Sequence, residues 1–367
     1  MTAIHPLTVC YMGITEPTFS RTNVYIKALR KEGIHVLECF DTTPGLKKFF
    51  RIFKKHAELT EPYDVVIVGC ASAILVPFVK LITRTPVIFD AGWSLYEGTV
   101  ISRGKHRNNP FKRLRVWSID WISYLSADLV LLETNAQIRF YTSLVRGKAS
   151  ACRRLFTGVD ESGVAPDTSI LKRNAFTVVF RGYANPEAGL ACIVEAARLL
   201  EGEGIQFLII SPNWLIPKDL PQNIETRIGF FASTELWRSM CECHAAFGQV
   251  ERHERLERTI PHKAYEAMAL GLPYLTADSV AIRELFNDRR NCLMVQAGNA
   301  ADLAEKIRLL AQDSGLASRI VLGAKETYQK ECSNAVLARE LIAYIDELTG
   351  RPVFAFPQAS DYNPKNT

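Results

Sequence analysis

Short apolar runs alternate with segments of helical spacing along almost the whole chain, and this alternation is the feature that most restricts the fold. Leu7 to Gly13 is an apolar run ending in glycine. His35 to Phe40, Tyr63 to Gly69, Pro86 to Asp90 and Ala127 to Glu133 repeat the pattern. Asn23 to Lys31, stopped at Gly33, and Ala73 to Thr83 have helical spacing. Strands that are continuously apolar are buried on both faces. Strands separated by helices pair in parallel through crossovers. The pattern therefore predicts a parallel sheet with helices on both faces.

The alternation pauses near Gly158-Val159-Asp160 and a polar stretch running to Asn174, then restarts. Phe176 to Gly182 reads as a strand entering a glycine turn, Glu187 to Leu200 as a helix and Ile205 to Ile210 as a strand. A Pro-rich loop through Pro221 follows, then a short strand at Thr226 to Phe231, a helix, and Ala245 to Val250. At 367 residues the chain has room for two domains of ordinary size. The expected division is 1–160, a linker at 161–175, a second domain at 176–333, a helix at 334–350 returning to the first domain, and a loose Pro-containing tail at 351–367.

Pro261 to Pro273 is the most informative local segment. Pro261 suits a first helical turn, Gly271 suits the position after the last turn, and Pro273 prevents continuation. Lys263 and Glu266 stand three apart and share one helical face. A carboxylate there can accept both hydroxyls of a ribose, and an ammonium beside it can neutralise phosphate oxygens. On spacing alone, Lys-x-x-Glu is a common surface pair. The apolar half of this helix (Ala264, Ala267, Met268, Leu270) and the strand before it suggest instead a helix bordering a cleft.

His262-Lys-Ala-Tyr-Glu-Ala-Met-Ala-Leu-Gly-Leu-Pro-Tyr-Leu-Thr-Ala-Asp278 resembles the signature of family 4 retaining glycosyltransferases with the GT-B fold. Arg283 to Asp288, Asn291 to Val295, the helical stretch Ala301 to Leu310, Gly158-Val159-Asp160, and Phe180-Arg181-Gly182 with Pro186 to Gly189 resemble further parts of that family. The resemblance covers most of 150–350. It implies an α/β GT-B architecture, two doubly wound Rossmann-like domains facing across a cleft. It also implies transfer of a sugar from a nucleotide-sugar donor, with retention and without a metal. Glu266 would then bind the donor ribose, Arg181 with Gly182 would face the diphosphate, and the backbone around Gly229 would border the base. Ser279, Val280 and Ala281 would offer N–H groups from a helix start. Gly13 would let the first domain approach the phosphates. The chain departs from the family at two places. Arg258 stands where a second glutamate is usual, with Glu254 and Glu257 nearby. Ala188 stands where a lysine is usual, a charge that Lys263 is placed to replace.

Asp90 ends a strand just before Gly92, where ligands meet open α/β sheets. It is the candidate to orient an acceptor or to act as a base; a strand-end aspartate capping a loop is the plainer reading. His253 and His262 read as ordinary polar residues, since no HExxH or Cys/His cluster accompanies them. There is no Asp-x-Asp for a divalent ion, no GxxxxGK[ST] phosphate loop and no full GxGxxG. No metal and no cofactor beyond the nucleotide-sugar substrate are expected. The nine cysteines lack a pairing pattern and read as reduced, buried small hydrophobes.

The charge is uneven. Residues 1–160 hold 22 basic and 13 acidic side chains, and the remainder holds 22 and 26. Leu46 to Lys55 places Leu46, Phe49, Phe50 and Phe53 along one helical side with lysines around the rest. That suits contact with an anionic membrane, or a core-packed helix with a solvated basic face. Arg103 to Trp117 is a second basic segment. Its aromatics are too sparse to favour nucleic acid. No apolar run reaches ~18 residues, and Met1 to Pro6 lacks a signal-peptide layout, so a cytoplasmic protein is expected, with contact at the inner face of the membrane as an option. The acceptor is left as a glycan, a lipid-linked molecule or a small molecule. The rival readings are a nucleotide-sugar epimerase and a non-catalytic nucleotide-binding relative, the latter suggested by Ala188 and Arg258.

Overall fold

The structure is a computed structural model that describes residues 7–350 apart from 19, 107, 165–168 and 213–218. The expectations for Met1 to Pro6, for part of the linker, for part of the Pro-rich loop and for the tail fall outside the described residues. In chain order the first half contains β1 (Thr8–Gly13), α1 (Ser20–Lys31), β2 (His35–Phe40), α2 (Lys47–Ala57), β3 (Val65–Val68), α3 (Val76–Ile82), β4 (Val87–Gly92), α4 (Pro110–Ser126), β5 (Leu129–Leu132), α5 (Asn135–Val145) and β6 (Cys152–Arg154). The second half contains β7 (Phe176–Arg181), α6 (Leu190–Leu199), β8 (Ile205–Ser211), β9 (Ile224–Ile228), α7 (Ser233–Cys241), β10 (Ala245–Phe247), α8 (His262–Leu270), β11 (Tyr274–Ala277), β12 (Leu293–Val295), α9 (Ala300–Gln312), α10 (Ser314–Thr327) and α11 (Asn334–Thr349).

Each half builds one parallel six-stranded sheet, ordered β2-β1-β3-β4-β5-β6 in the first and β12-β11-β10-β7-β8-β9 in the second. This is the GT-B fold. The central strands are buried on both faces; Val65 to Val68 is an example. That is why they read as unbroken apolar runs rather than alternating ones. Strand order reverses between β1 and β3 in the first sheet and between β7 and β10 in the second. Ligands gather at the carboxyl ends of strands at such reversals, where neighbouring loops diverge.

Local chemistry sets the helix ends. Thr134 caps α5 by accepting from the Gln137 N–H at 3.0 Å, and Asn109 caps α4 by accepting from the Lys112 N–H at 3.0 Å, with Pro110 as its first residue. Gly271 closes α8 in the left-handed conformation, φ +66°. Pro261 stands one place before the helix rather than inside its first turn. The helix expected from Glu187 to Leu200 is interrupted. Pro186–Ala188 form a 3-10 turn, Gly189 takes φ +72°, and α6 starts only at Leu190. The strand expected at Thr226 to Phe231 begins earlier and ends at Ile228, because Gly229 leaves extended pairing with φ +149°. β6 and α10 had no clear signal. β6 is three residues long and amphipathic, and α10 lies close behind α9.

The chain crosses between sheets through Leu155 to Asp160, with Gly158 at φ +67°. α11 then packs on α1 of the first domain, where Tyr344 donates to the Arg154 carbonyl at 2.9 Å. Phe156, Val159, Tyr265 and Leu337 belong to one apolar cluster that continues through both domains. Among the described residues, no helix is long and apolar enough to cross a membrane.

Candidate functional site

The carboxyl ends of both sheets face one cleft. Its walls come from Arg21 on α1, Trp93 after β4, Glu133 after β5, Thr157 in the crossing, Arg181 to Asn185 after β7, and Gln249 to Lys263 after β10. They enclose about 270 Å³. The β7/β10 reversal puts Arg181 beside the start of α8, although the two lie about 80 residues apart in sequence.

Glu266 is the electrostatic centre of the C-terminal wall. Arg181 donates Nε–H to Glu266 Oε2 at 2.6 Å and pairs through Nη2 with Oε1. His262 Nδ1 lies 3.3 Å from the same Oε1 and 3.3 Å from Arg181 Nη2. Burial works against a charged Glu266, but Arg181 and His262 overcome it and hold its carboxyl down at about 2. Glu266 is thus a carboxylate at any ordinary pH. Lys263 is on the same helical face. Its ammonium sits 4.2 Å over the Phe180 ring, beneath Gly182. No hydrogen bond or ion pair holds it among the described residues. Burial first, and then the neighbouring Arg181, lower its pKa to about 7, with Glu266 and Glu187 resisting. A phosphate oxygen would restore its charged form.

Other buried polar atoms around the cleft also await a partner. Arg21 Nη2, Arg255 Nε, Thr259 Oγ1 and His262 Nε2 have no partner among the described residues, and all four side chains line the cleft. Buried polar atoms are normally paired, so such a convergence marks a place for a ligand. The opposing charge is Glu133. It is enclosed by donors from Thr157 (2.7 Å), Tyr265 (3.1 Å) and the Ile260 N–H (3.3 Å). Burial raises its pKa, with Arg21 opposing.

Of the residues singled out by sequence, Arg181, Gly182, Lys263 and Glu266 come together. The others lie apart from this cavity. Gly13 ends β1 at the first-domain reversal, where a Cβ would meet the Phe40 ring at 2.5 Å. Close packing against Phe40 thus accounts for the glycine there. Gly229 follows β9 on one flank, beside Phe231. Ser279, Val280 and Ala281 lie on the other flank. They precede only a 3-10 turn, Ile282–Glu284, and the Val280 N–H is already taken by Glu257 at 3.2 Å. No α-helix begins there, which corrects the expected helix start. Asp90 does not reach the cleft. It is fully buried, its Oδ1 accepting from Arg21 Nε at 2.7 Å. It holds Arg21 in place from behind.

Sequence reasoning passed over Arg21, Arg255, Glu133 and His262, because each lies outside the motif or was read as an ordinary polar residue. Arg258, which departs from the family pattern, is explained by the fold. It forms an ion pair with buried Glu97 across the domain boundary, stacks 4.2 Å over Phe140, and its carbonyl accepts from Thr134 Oγ1 at 2.6 Å. Ala188 is buried in its 3-10 turn, so no side chain from that position enters the cleft. A larger hollow of about 660 Å³ lies behind the 251–257 loop. Ser279 lines it, and its carboxylates, among them Glu251, Glu254, Glu257, Asp278 and Asp302, outnumber the cations Arg252, Arg283 and Lys306, so it suits an anion less well. Among the described residues, no cluster of His, Cys, Asp and Glu could hold a metal ion. All nine cysteines are buried thiols.

Residues 191–343 match the model of a family described as glycosyl transferase-like. No curated protein matches the chain in sequence. Among solved structures, it is similar to Anabaena Alr3699/HepE in complex with UDP at 13% identity and TM-score 0.70, covering 93% of this chain and 100% of that one; the same protein is also solved with UDP-glucose. It is similar to sucrose-phosphate synthase from Thermosynechococcus elongatus at 13% identity and TM-score 0.73, covering 94% and 100%. It is similar to S. aureus TarM in complex with fondaparinux, alpha-GlcNAc-glycerol and UDP at 14% identity and TM-score 0.59, covering 77% and 55%. The likeness is one of fold.

Proposed function

We propose that the protein is a glycosyltransferase that moves a sugar from a nucleoside diphosphate sugar to an acceptor hydroxyl. The observation that carries this reading is the anionic Glu266 flanked by Arg181, His262 and a partnerless buried Lys263. One carboxylate suits two ribose hydroxyls, and the adjoining cations suit a diphosphate. Uridine is the favoured base, because structures of the same fold hold UDP and UDP-glucose. In the transfer, the bond between the anomeric carbon and the diphosphate oxygen breaks. The acceptor oxygen bonds to the carbon, and its proton passes to the departing diphosphate oxygen. Arg181, Lys263, Arg255 and Arg21 stabilise the leaving diphosphate in place of a metal. Retention follows from the family resemblance. The acceptor approaches from the N-terminal wall, between Trp93 and Arg21. Glycans and lipid-linked glycans are the favoured acceptors, with sugar phosphates as the small-molecule case.

A second reading has specific support. Ala188 and the committed Arg258 remove two side chains that the resemblance would place near the donor sugar, which favours a protein that binds the nucleotide without turnover. Calorimetry with a panel of nucleoside diphosphates and their sugars, followed by donor hydrolysis, separates the two. Uridine diphosphate binding with slow donor hydrolysis supports the transferase, and binding with no turnover under any acceptor supports the second reading. Failure of every nucleotide to bind at millimolar concentration would end both.

A further inference from the structure

The N-terminal domain exposes an apolar surface that its own fold leaves uncovered. The stripe expected on α2 divides. Phe49 turns inward, its ring 5.3 Å from Phe78 of α3, and Ile52 is fully buried, while Leu46, Phe50 and Phe53 face outward. α3 in turn packs on α4, so the three helices form one continuous face. α4 adds Phe111 and Leu114. The exposures are those of free side chains: 82% for Leu46, 70% for Phe50 and 83% for Phe111. Leu81 on α3 is also exposed. A soluble protein rarely leaves so many large apolar residues together without a use for them.

The charge around them is mainly positive; the nearby carboxylates Asp41, Glu58 and Asp128 are paired with Lys55, Lys54 and Lys80. α2 carries no acidic residue. The one carboxylate of α4, Asp120, is buried and accepts from Ser94 and from the Leu95 and Tyr96 N–H groups. Among the described residues, Lys47, Lys48, Lys112 and Arg115 have no carboxylate partner. A second copy of this face would bring like charges together. A surface of anionic lipid complements both the cations and the apolar side chains.

We propose that the α2–α3–α4 face docks the protein on an anionic lipid bilayer. The topology places this contact beside the cleft. In a parallel sheet each crossover helix starts at the carboxyl edge of the strands, and the cleft lies along that edge. Leu46, Phe50, Phe111 and Leu114 occupy or adjoin the first turns of α2 and α4, so these four stand at the cleft rim, while Leu81, in the last turn of α3, extends the apolar surface away from it. The segment entering α4 also carries the π-helical turn Glu97–Ser102, whose Glu97 and Ser102 bond Arg258 and Glu187 across the boundary. With the cleft taken as a glycosyl-transfer site, as proposed above, the acceptor is then one anchored in that bilayer.

The test is flotation of the full chain with vesicles of phosphatidylcholine alone or with about one-third phosphatidylglycerol. Wild type should float with the anionic vesicles only, and salt should release it. A Phe50→Ser/Phe111→Ser variant and a Lys47→Glu/Lys48→Glu variant should each partition about tenfold more weakly. A UDP-induced thermal shift, measured on every variant, shows that the fold and cleft are intact. Absence of flotation, or flotation unchanged in both variants, overturns the proposal. A lipid-free dimer abolished by the phenylalanine variant also overturns it, since the face would then belong to a second copy. If flotation behaves as expected and UDP has no effect on any form, the nucleotide reading fails and the docking stands.

Discussion

Arg258 of the C-terminal domain pairs with Glu97 of the N-terminal domain, a carboxylate buried at the boundary whose other oxygen accepts from Gln137 at 2.7 Å. Breaking a buried pair by removing one partner leaves an uncompensated charge, at a typical cost of about 3–5 kcal/mol. Arg258→Ala should therefore lower stability by about that much. Glu97→Gln removes the stranded charge, so the double variant should be more stable than the two single effects predict. Denaturant unfolding of all four proteins decides the matter. Strict additivity would show that the pair does not couple the domains.

Lys263 titrates near pH 7, well below the ordinary lysine range. Between those values the unfolded chain binds the proton and the native one does not, so the Lys263 contribution to stability rises with pH from about 7 upward. Ligand binding has the opposite dependence. A diphosphate favours the ammonium, so binding should take up a proton above pH 7, and affinity should fall by up to about tenfold per pH unit. Calorimetry in buffers of different ionisation heat measures the uptake. Lys263→Met should bind weakly with a flat profile; a slope unchanged from wild type would exclude Lys263 as its source.

Glu266 is held near 2, so no acid limb between pH 4 and 9 should originate there. Glu266→Ala removes the partner of both Arg181 and His262 and leaves Arg181 and Lys263 without a carboxylate between them. Turnover should drop at least ~100-fold, about 2.7 kcal/mol of transition-state stabilisation. Near-normal turnover in that variant, read by release of nucleoside diphosphate, would sink the assignment of this wall to the donor.

Gly189 combines φ +72° with close packing. A Cβ there would stand 2.7 Å from the Glu251 amide nitrogen and 2.7 Å from Val250 Cγ2. Gly202 shares the positive φ, at +82°, with nothing within 4 Å. Gly189→Ala should cost about 3 kcal/mol or more, from backbone strain plus overpacking, and Gly202→Ala only about 1. Equal midpoints in urea would mean that the contact with the 250–251 loop is slack.

Much of this architecture is legible in the linear chain, because its signals are local. Val65 to Val68 is apolar on both faces and must be an inner strand. Gly271 and Pro273 mark a helix end whatever surrounds them. Lys263 and Glu266 share a face by spacing alone. Other elements had no such signal. Three-residue β6 carries too little pattern to stand out, and Gly189 divides a helix that composition would leave whole. Ser279 to Ala281 resemble a helix start, yet the turn after them is too short to be one.

The sequence by itself determined two parallel sheets and a helix bearing one ammonium and one carboxylate, since burial pattern and spacing act over a few residues. Only the tertiary structure decided what those charges meet. Arg181 reaches Glu266 because β7 and β10 are neighbours at a reversal of strand order. Asp90 lies behind Arg21 instead of facing the cleft because α1 crosses over it. Arg258 joins the domains because the fold brings it to the buried Glu97. Phe50 is left outside because Phe49 and Ile52 fill the space against the sheet. Each of these outcomes depends on which distant groups share a desolvated volume, and electrostatic energy is set by that proximity, not by distance along the chain.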